Sequence, residues 1–304
     1  MSNSLAPILL FVYNRPEHTR RTIEALRKNF LADASDLIII SDHARSEEQQ
    51  LNVREVRNYI KNVSGFKEVS IIERASNYGL ARNIIEGVTE VISKYGKIIV
   101  LEDDIVTSPS FLNYMNGALT RYENEKKVWH ISGWSYPIET DELNDSYFIR
   151  IMNCWGWATW GDRWKNYRRE PSEIIKVFDK KEIFEFDISN SGLFWSQVID
   201  NITGKSNTWA IFWYATIFKN KGLCLNPSIS YSENIGLDNS GTNSTRTNQF
   251  NHSYLNSSSI EKYPDEIVES SIALNRIVLF FKSQKKSLIK RASEKVIRIL
   301  EKFV

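Results

Sequence analysis

Strand-like and helix-like stretches alternate four times within the first 125 residues, which leaves few architectures open. PILLFVY (7–13) is an apolar run of strand length, and Asn14-Arg15-Pro16 turns the chain into a helix near Glu17 to Lys28. DLIIISD (36–42) reads as a second strand, with a helix after it near Glu47 to Lys61. EVSIIER (68–74) is the third, and a helix starts near Gly79. KIIVLEDD (97–104) is the fourth; SPSFLNYMNGALTRYENE (108–125) then predicts a helix with Ser108 as N-cap and Pro109 in its first position. These strands are near-continuous apolar runs rather than alternating ones, as expected when helices cover both faces of a sheet. The fold class is therefore α/β, a doubly wound and mostly parallel sheet with helices on both faces. Ligands of such sheets bind outside the carboxyl ends of the strands. Arg15, Asp42 and the consecutive acids Glu102, Asp103 and Asp104 all fall at those ends.

Beyond residue 125 the alternation loosens. VWHISGW and SYFIRIM read as strands, and NCWGWATWGDRWKNY is rich in Trp. A helix is predicted over Thr208 to Asn220, ended by Gly222, and SYSENIGLDNSGTNSTRTNQ is a Ser/Asn/Gly-rich loop. Two cysteines, Cys154 and Cys224, make neither a disulfide framework nor a zinc site and point to a reducing compartment. The first residues lack the basic start of a secretory signal, and no stretch reaches the ~18 uninterrupted apolar residues of a membrane span. The expected location is cytoplasmic.

The net charge of +2 is uneven. From Ile272 to Val304, nine Lys/Arg stand against Glu294 and Glu301, a net of +7 that leaves −5 on the rest. Leu288, Ala292, Val296, Ile299, Leu300 and Phe303 recur at helical spacing among these charges. Residues 261–304 thus read as a basic amphipathic helical tail. It packs on its own domain or meets an anionic membrane surface through residues 272–304.

Three consecutive acids at a strand end suit a divalent cation, since Mg²⁺ and Mn²⁺ take oxygen ligands and keep water and substrate phosphates in their shell. The plainer reading is a solvated acidic helix start. The chain has neither a GxxxxGK[ST] phosphate loop nor a GxGxxG after its first strand, which argues against P-loop NTPases and Rossmann dehydrogenases.

Several segments together carry a resemblance. LLFVYNRPEHTRRTIEAL, IIISD, ERASNYGLARNIIEGV and VLEDDIVTSPSFLNYM occur in the order and spacing of glycosyltransferases of the GT-A fold. The chain resembles N-acetylglucosaminyltransferase I and its bacterial family-2-like relatives, which share EDD followed by Pro and an aromatic-rich helix. CWGWATWGDRW and GLCLNPSISYSENIGLDNSGTN extend the likeness to about residue 245. It implies a nucleotide-sugar-binding half (1–125) and an acceptor-binding half (126–260) of one GT-A domain, followed by the tail (261–304). It implies a nucleotide-sugar donor, a UDP-sugar, and a glycan or lipid-linked glycan acceptor in bacterial surface polysaccharide synthesis, with no nucleic-acid partner. Arg15 and Asp42 would contact the nucleotide, Asp42 facing the base, with Arg82 and Asn83 near the diphosphate or base. Glu102 and Asp103 would bind sugar and ribose, and Asp104 would hold Mn²⁺ or Mg²⁺. The Trp155 to Trp160 segment, Trp157 foremost, would border sugar and acceptor.

One departure bears on the chemistry. An inverting transferase needs a general base for the acceptor hydroxyl, which relatives supply as Asp in a Trp-Asp-x-x-Trp-like helix start. Here TWAIFW (208–213) keeps Trp209 and Trp213 but carries Ala210 between them. An engineered substitution, another acid (Asp162, Glu233 or Asp238) and a naturally weak or inactive member all remain open. Asn243 likewise stands where many relatives carry His, so its loop is expected to cover the donor. Two further readings compete: a sugar nucleotidyltransferase, which would carry a Gly-rich basic loop where Asn14-Arg15-Pro16 stands, and a non-catalytic glycan-binding module.

Overall fold

The computed structural model describes residues 4–238, 250, 254–258, 260 and 262–284. The first half alternates as β1 (Ile8–Val12), α1 (Pro16–Arg27), β2 (Asp36–Ser41), α2 (Glu47–Ile60), β3 (Glu68–Glu73), α3 (Leu80–Tyr95) and β4 (Lys97–Glu102). A short β5 (Ile105–Thr107) and α4 (Phe111–Arg121) follow. The second half contains β6 (Val128–Ser132), β7 (Ser146–Ile149), β8 (Trp157–Trp160) and α5 (Gly161–Trp164). Three short helices, α6 (Pro171–Val177), α7 (Lys180–Phe186) and α8 (Trp195–Ile202), lead to α9 (Ala210–Lys219), β9 (Leu223–Pro227) and β10 (Ser232–Asn234). A last helix, α10, spans 271–284.

Eight strands form one sheet in the order β3-β2-β1-β4-β8-β6-β9-β7. β3, β2, β1 and β4 are mutually parallel. β8 runs antiparallel between β4 and β6, β9 is parallel to β6, and β7 closes the edge antiparallel. The period-2 alternation of strand side chains divides the core in two. Ile8, Leu10, Leu37, Ile39, Ile99 and Leu101 meet α1, α2 and α4 on one face. Leu9, Phe11, Ile38, Ile40, Ile98 and Val100 meet α3 and α9 on the other. The sheet is thus wound on both faces, as its apolar runs predict.

Three local expectations are corrected. Residues 105–107 pair with β10 as a small second sheet, so the acids do not run straight into a helix. α4 therefore begins at Phe111 with Ser110 before it, and Ser108 serves instead through its carbonyl, which accepts from Phe111 N at 3.2 Å. α9 ends by turning at Lys221, which adopts φ 53°, while Gly222 N bonds back to Ile217 O at 2.9 Å. Gly222 is needed for space instead: a Cβ there would lie 2.6 Å from Trp129 Cδ1.

The described part of the tail is a helix packed on its own domain. Ala273, Ile277 and Phe281 join Trp134, Tyr136, Tyr147 and Ile149 in a third apolar cluster. The basic stretch 285–304 lies outside the described residues. Among the described residues, no helix is long and apolar enough to cross a membrane.

Candidate active site

The parallel register sets Phe11 beside Glu102 and Val12 beside Ser41, so β1, β2 and β4 end at one level. The loop after β1 delivers Arg15 to the acids. Its Nη2 pairs with Asp103 Oδ1 and with Asp104 Oδ2, the latter at 3.0 Å. Tyr13 N donates to Asp103 Oδ2 at 3.3 Å, and Thr22 Oγ1 to Asp103 O at 2.9 Å. Burial opposes the Arg15 charge, but Asp103 and Asp104 outweigh it and hold the guanidinium protonated above its usual range. Its Nη1 is buried with no hydrogen-bond partner among the described residues.

One guanidinium faces three carboxyls, and the imbalance shows in their proton affinity. Burial, then the charges of Asp104 and Asp103, push Glu102 up to about 8, with Arg15 acting against them. Asp103 is also raised, by burial first, although Arg15 pulls it down. Such a site attracts further positive charge and offers it only oxygen ligands, the donor set of Mg²⁺ or Mn²⁺. Among the described residues no three His, Cys, Asp or Glu are grouped to hold a metal by themselves. The residues fit a cation that completes its shell with water and substrate oxygens.

The segment after β10 lies directly over these acids. Ile235 N donates to Asp104 O at 2.9 Å. A Cβ on Gly236 would overlap the Asp104 carboxylate and come within 2.8 Å of Arg15 Nη1. Asp238 Oδ2 lies 3.2 Å from His18 Nε2, on the first turn of α1. None of this closeness is visible in sequence, where Gly236 and Asp104 are far apart.

The other expected site residues divide. Asp42 is buried at the end of β2, but its carboxylate accepts from His43 N, Tyr78 N and Gly79 N, each at 2.9 Å, and from Asn77 Nδ2 at 3.3 Å. Its oxygens are held by the turn that starts α3. Arg82 is exposed, paired with Glu86 at 2.7 Å, with its guanidinium carbon 4.0 Å from the Tyr78 ring centroid. Asn83 is buried and its Oδ1 accepts from Arg74 Nε at 3.0 Å. Arg74, which sequence reasoning passed over, lies over the same Tyr78 ring at 4.8 Å. Trp157 is 0% exposed, stacked between His130 (5.4 Å) and Trp209 (5.2 Å). Its ring lies in the apolar cluster between the sheet and α9.

Ala210 is the first residue of α9 and half-buried. Trp157, level with Val100 near the acid end of β4, stacks on Trp209, so α9 starts toward that end of the sheet. Asp162 follows Trp160, which pairs with Lys97 at the other end of β4, and it is bound to Lys126 (2.7 Å) and Arg163 (2.6 Å). That position removes Asp162 from the candidate bases. A cleft of about 550 Å³ opens there, lined by Gly96, Glu123, Lys126, Trp160 and Asp162 among others, with Asp162 already paired to Lys126 and Arg163. Glu233 is half-buried on β10, opposite Val106. Asn243 lies outside the described residues.

The GNT-I family model matches residues 1–167, more than half of the chain. Among solved structures, the mannosyltransferase PcManGT from Pyrobaculum calidifontis, in complex with GDP-Man and Mn²⁺, is 9% identical with a TM-score of 0.36, covering 72% of this chain and 70% of its own. S. aureus TarS is 11% identical with a TM-score of 0.30, covering 43% of this chain and 22% of its own. No curated protein matches. With its family model covering seven of the eight strands of the sheet, Arg15 and all three acids, the chain belongs to the GNT-I family and is a glycosyltransferase.

Proposed function

We propose that the cluster of Arg15, Glu102, Asp103 and Asp104 is the donor site of a metal-dependent, inverting transferase. It moves a hexosyl or N-acetylhexosaminyl group from a UDP-sugar to a glycan or lipid-linked glycan in bacterial surface polysaccharide synthesis. One observation carries this reading: a single half-buried guanidinium pairs with two of three consecutive carboxyls at the carboxyl end of a parallel strand and leaves the cluster short of positive charge. Arg15 would turn its free Nη1 to the diphosphate. Asp103, fixed by Tyr13 N, and Glu102 would take ribose and sugar hydroxyls. Asn83 would act through Arg74, and Arg82 through the Tyr78 ring beside it. Asp104 would hold a bound Mn²⁺ or Mg²⁺, which offsets the charge of the departing diphosphate.

Proton removal from the acceptor belongs at the start of α9, where Ala210 has only a methyl group. This favours a second reading, a chain that binds donor without transferring it. Incubating the chain and its Ala210→Asp variant with Mn²⁺ and a panel of sugar nucleotides, and following release of the nucleoside diphosphate, separates the two. Release by either protein supports transfer chemistry; binding with no release by both leaves the donor-binding reading. The location that follows is cytoplasmic, peripheral on the inner face of the membrane, with the basic residues after 284 meeting anionic lipid.

A further inference from the structure

Of the fourteen large apolar side chains exposed among the described residues, six lie within residues 175–202. They are Ile175 and Val177 of α6, Phe184 of α7, Leu193 just before α8, and Ile199 and Ile202 of α8. Scattered apolar residues on a surface are ordinary, but a concentration of them marks a contact surface.

Their exposure follows from how the three short helices pack. Phe178 just after α6, Phe186 at the end of α7 and Trp195 at the start of α8 meet one another, with ring centroids 5.3–6.0 Å apart. Phe178 and Phe186 also reach Phe218 of α9, each at 5.5 Å. This aromatic cluster takes up the inward side of each helix. Val198 is buried with it, while Ile199 and Ile202, three residues apart, are neighbours on the outer face of α8.

Two features bracket α8. At its start, Phe194 is edge-on to Phe281 of α10 at 5.8 Å. Three residues beyond Phe281 the described tail ends at Gln284, and the sequence after it carries seven Lys/Arg against Glu294 and Glu301. At its end, Thr208 N donates to Asn201 Oδ1 at 3.0 Å and Asn201 Nδ2 to Thr208 Oγ1 at 2.8 Å, which ties α8 to the start of α9. The apolar face thus lies between the origin of a basic segment and the helix start assigned above to the acceptor. An apolar face beside a run of cations suits an anionic lipid surface, where the side chains enter among the headgroups and the cations meet the lipid charge. A second copy seated on the same face would bring two such basic segments together, a repulsion that anionic lipid removes.

We propose that the outward face of α6, α7 and α8 is a docking surface for an anionic lipid bilayer, acting together with the basic residues after 284. Each is a weak signal alone, and stable attachment needs both. Docking in this way holds the start of α9 at the bilayer, where a lipid-linked acceptor would arrive. That last step rests on the function proposed above, whereas the docking itself involves no nucleotide, so the two fail separately.

The test is co-sedimentation of the whole chain, without nucleotide, with vesicles of mixed phosphatidylcholine and phosphatidylglycerol. Replacing Ile199→Glu and Ile202→Glu together should weaken vesicle binding at least about tenfold. Ile199→Ser with Ile202→Ser adds no charge and should still weaken it at least about fivefold, which guards against a folding defect or simple repulsion in the first variant. Binding by the serine pair equal to that of wild type overturns the proposal, as does a wild-type chain that ignores these vesicles. A wild type that sediments as a dimer, with both variants monomeric and vesicle binding unchanged, would give the face to a second copy and overturn it too. UDP binding by wild type reads the donor site independently of all these outcomes.

Discussion

Arg15 Nη2 lies 3.0 Å from Asp104 Oδ2, and this pair decides how the acid end of β4 can exist without bound ligand. The same nitrogen serves Asp103, so one side chain offsets two carboxylates that are both nearly inaccessible. Removing one member of a buried ion pair leaves the other charged and unpaired. Arg15→Met should therefore cost about 3–5 kcal/mol of stability. Added Mn²⁺ should restore part of it by supplying the lost charge. Thermal unfolding with and without Mn²⁺ checks this; a variant as stable as wild type would show that the pair carries no weight.

Ala210 heads α9, the position to which the proposed mechanism assigns receipt of the acceptor's proton. General-base catalysis contributes on the order of 10²–10⁴ in rate. Ala210→Asp should raise turnover at least about tenfold and leave donor affinity within about twofold, since position 210 belongs to neither the arginine nor the acids. Steady-state kinetics with calorimetry of the donor reads both quantities. Unchanged turnover would remove position 210 from the mechanism.

His130 is wholly buried, and burial lowers it to about 3 despite its bond to Asn153 O at 3.0 Å. Trp213 Nε1, which can only donate, points at His130 Nδ1 from 3.2 Å and requires that nitrogen to be an unprotonated acceptor. The folded ring thus stays neutral where the unfolded one charges. The unfolded chain binds the extra proton below about 6.5, so stability falls as pH drops from there toward 3. The slope from this residue is about 1.4 kcal/mol per pH unit. Urea unfolding between pH 7 and 5 should be steeper for wild type than for His130→Gln by about one proton. Equal slopes would contradict the assignment.

The tail calls for a cut that sequence alone would misplace. Ending the chain at 271 removes Ala273, Ile277 and Phe281, which belong to a core cluster, and would destabilise the fold. Ending it at 284 removes Lys285, Lys286, Lys290, Arg291, Lys295, Arg298 and Lys302 and leaves that cluster intact. The chain 1–284 should keep its melting temperature and no longer co-sediment with liposomes rich in phosphatidylglycerol. Undiminished co-sedimentation would place membrane affinity elsewhere.

The parallel half and its ligand end were legible because buried strands read as unbroken apolar runs and polar residues mark where they stop. Arg15 and the acids were therefore found together. What escaped was long-range pairing. β5 and β10 have three residues each and meet across more than 120 positions, so neither has a local signature. β8 inserts antiparallel between β4 and β6, and its direction places Trp160, with Asp162 just after it, at the end of β4 away from the acids. Trp155 and Trp157 are chemically identical, and only the turn at Gly156 separates a half-buried ring from a core one. Asp42 looked free because its four backbone and side-chain donors come from residues 43 and 77–79, which nothing in a strand pattern announces.

The donor site is tested most directly by titrating UDP into wild type and Asp104→Asn by calorimetry, with Mn²⁺ and with EDTA. Wild type should bind UDP with Mn²⁺ at least about tenfold more tightly than with EDTA, and Asp104→Asn should lose most of that difference. UDP affinity indifferent to both Mn²⁺ and Asp104 would contradict the account.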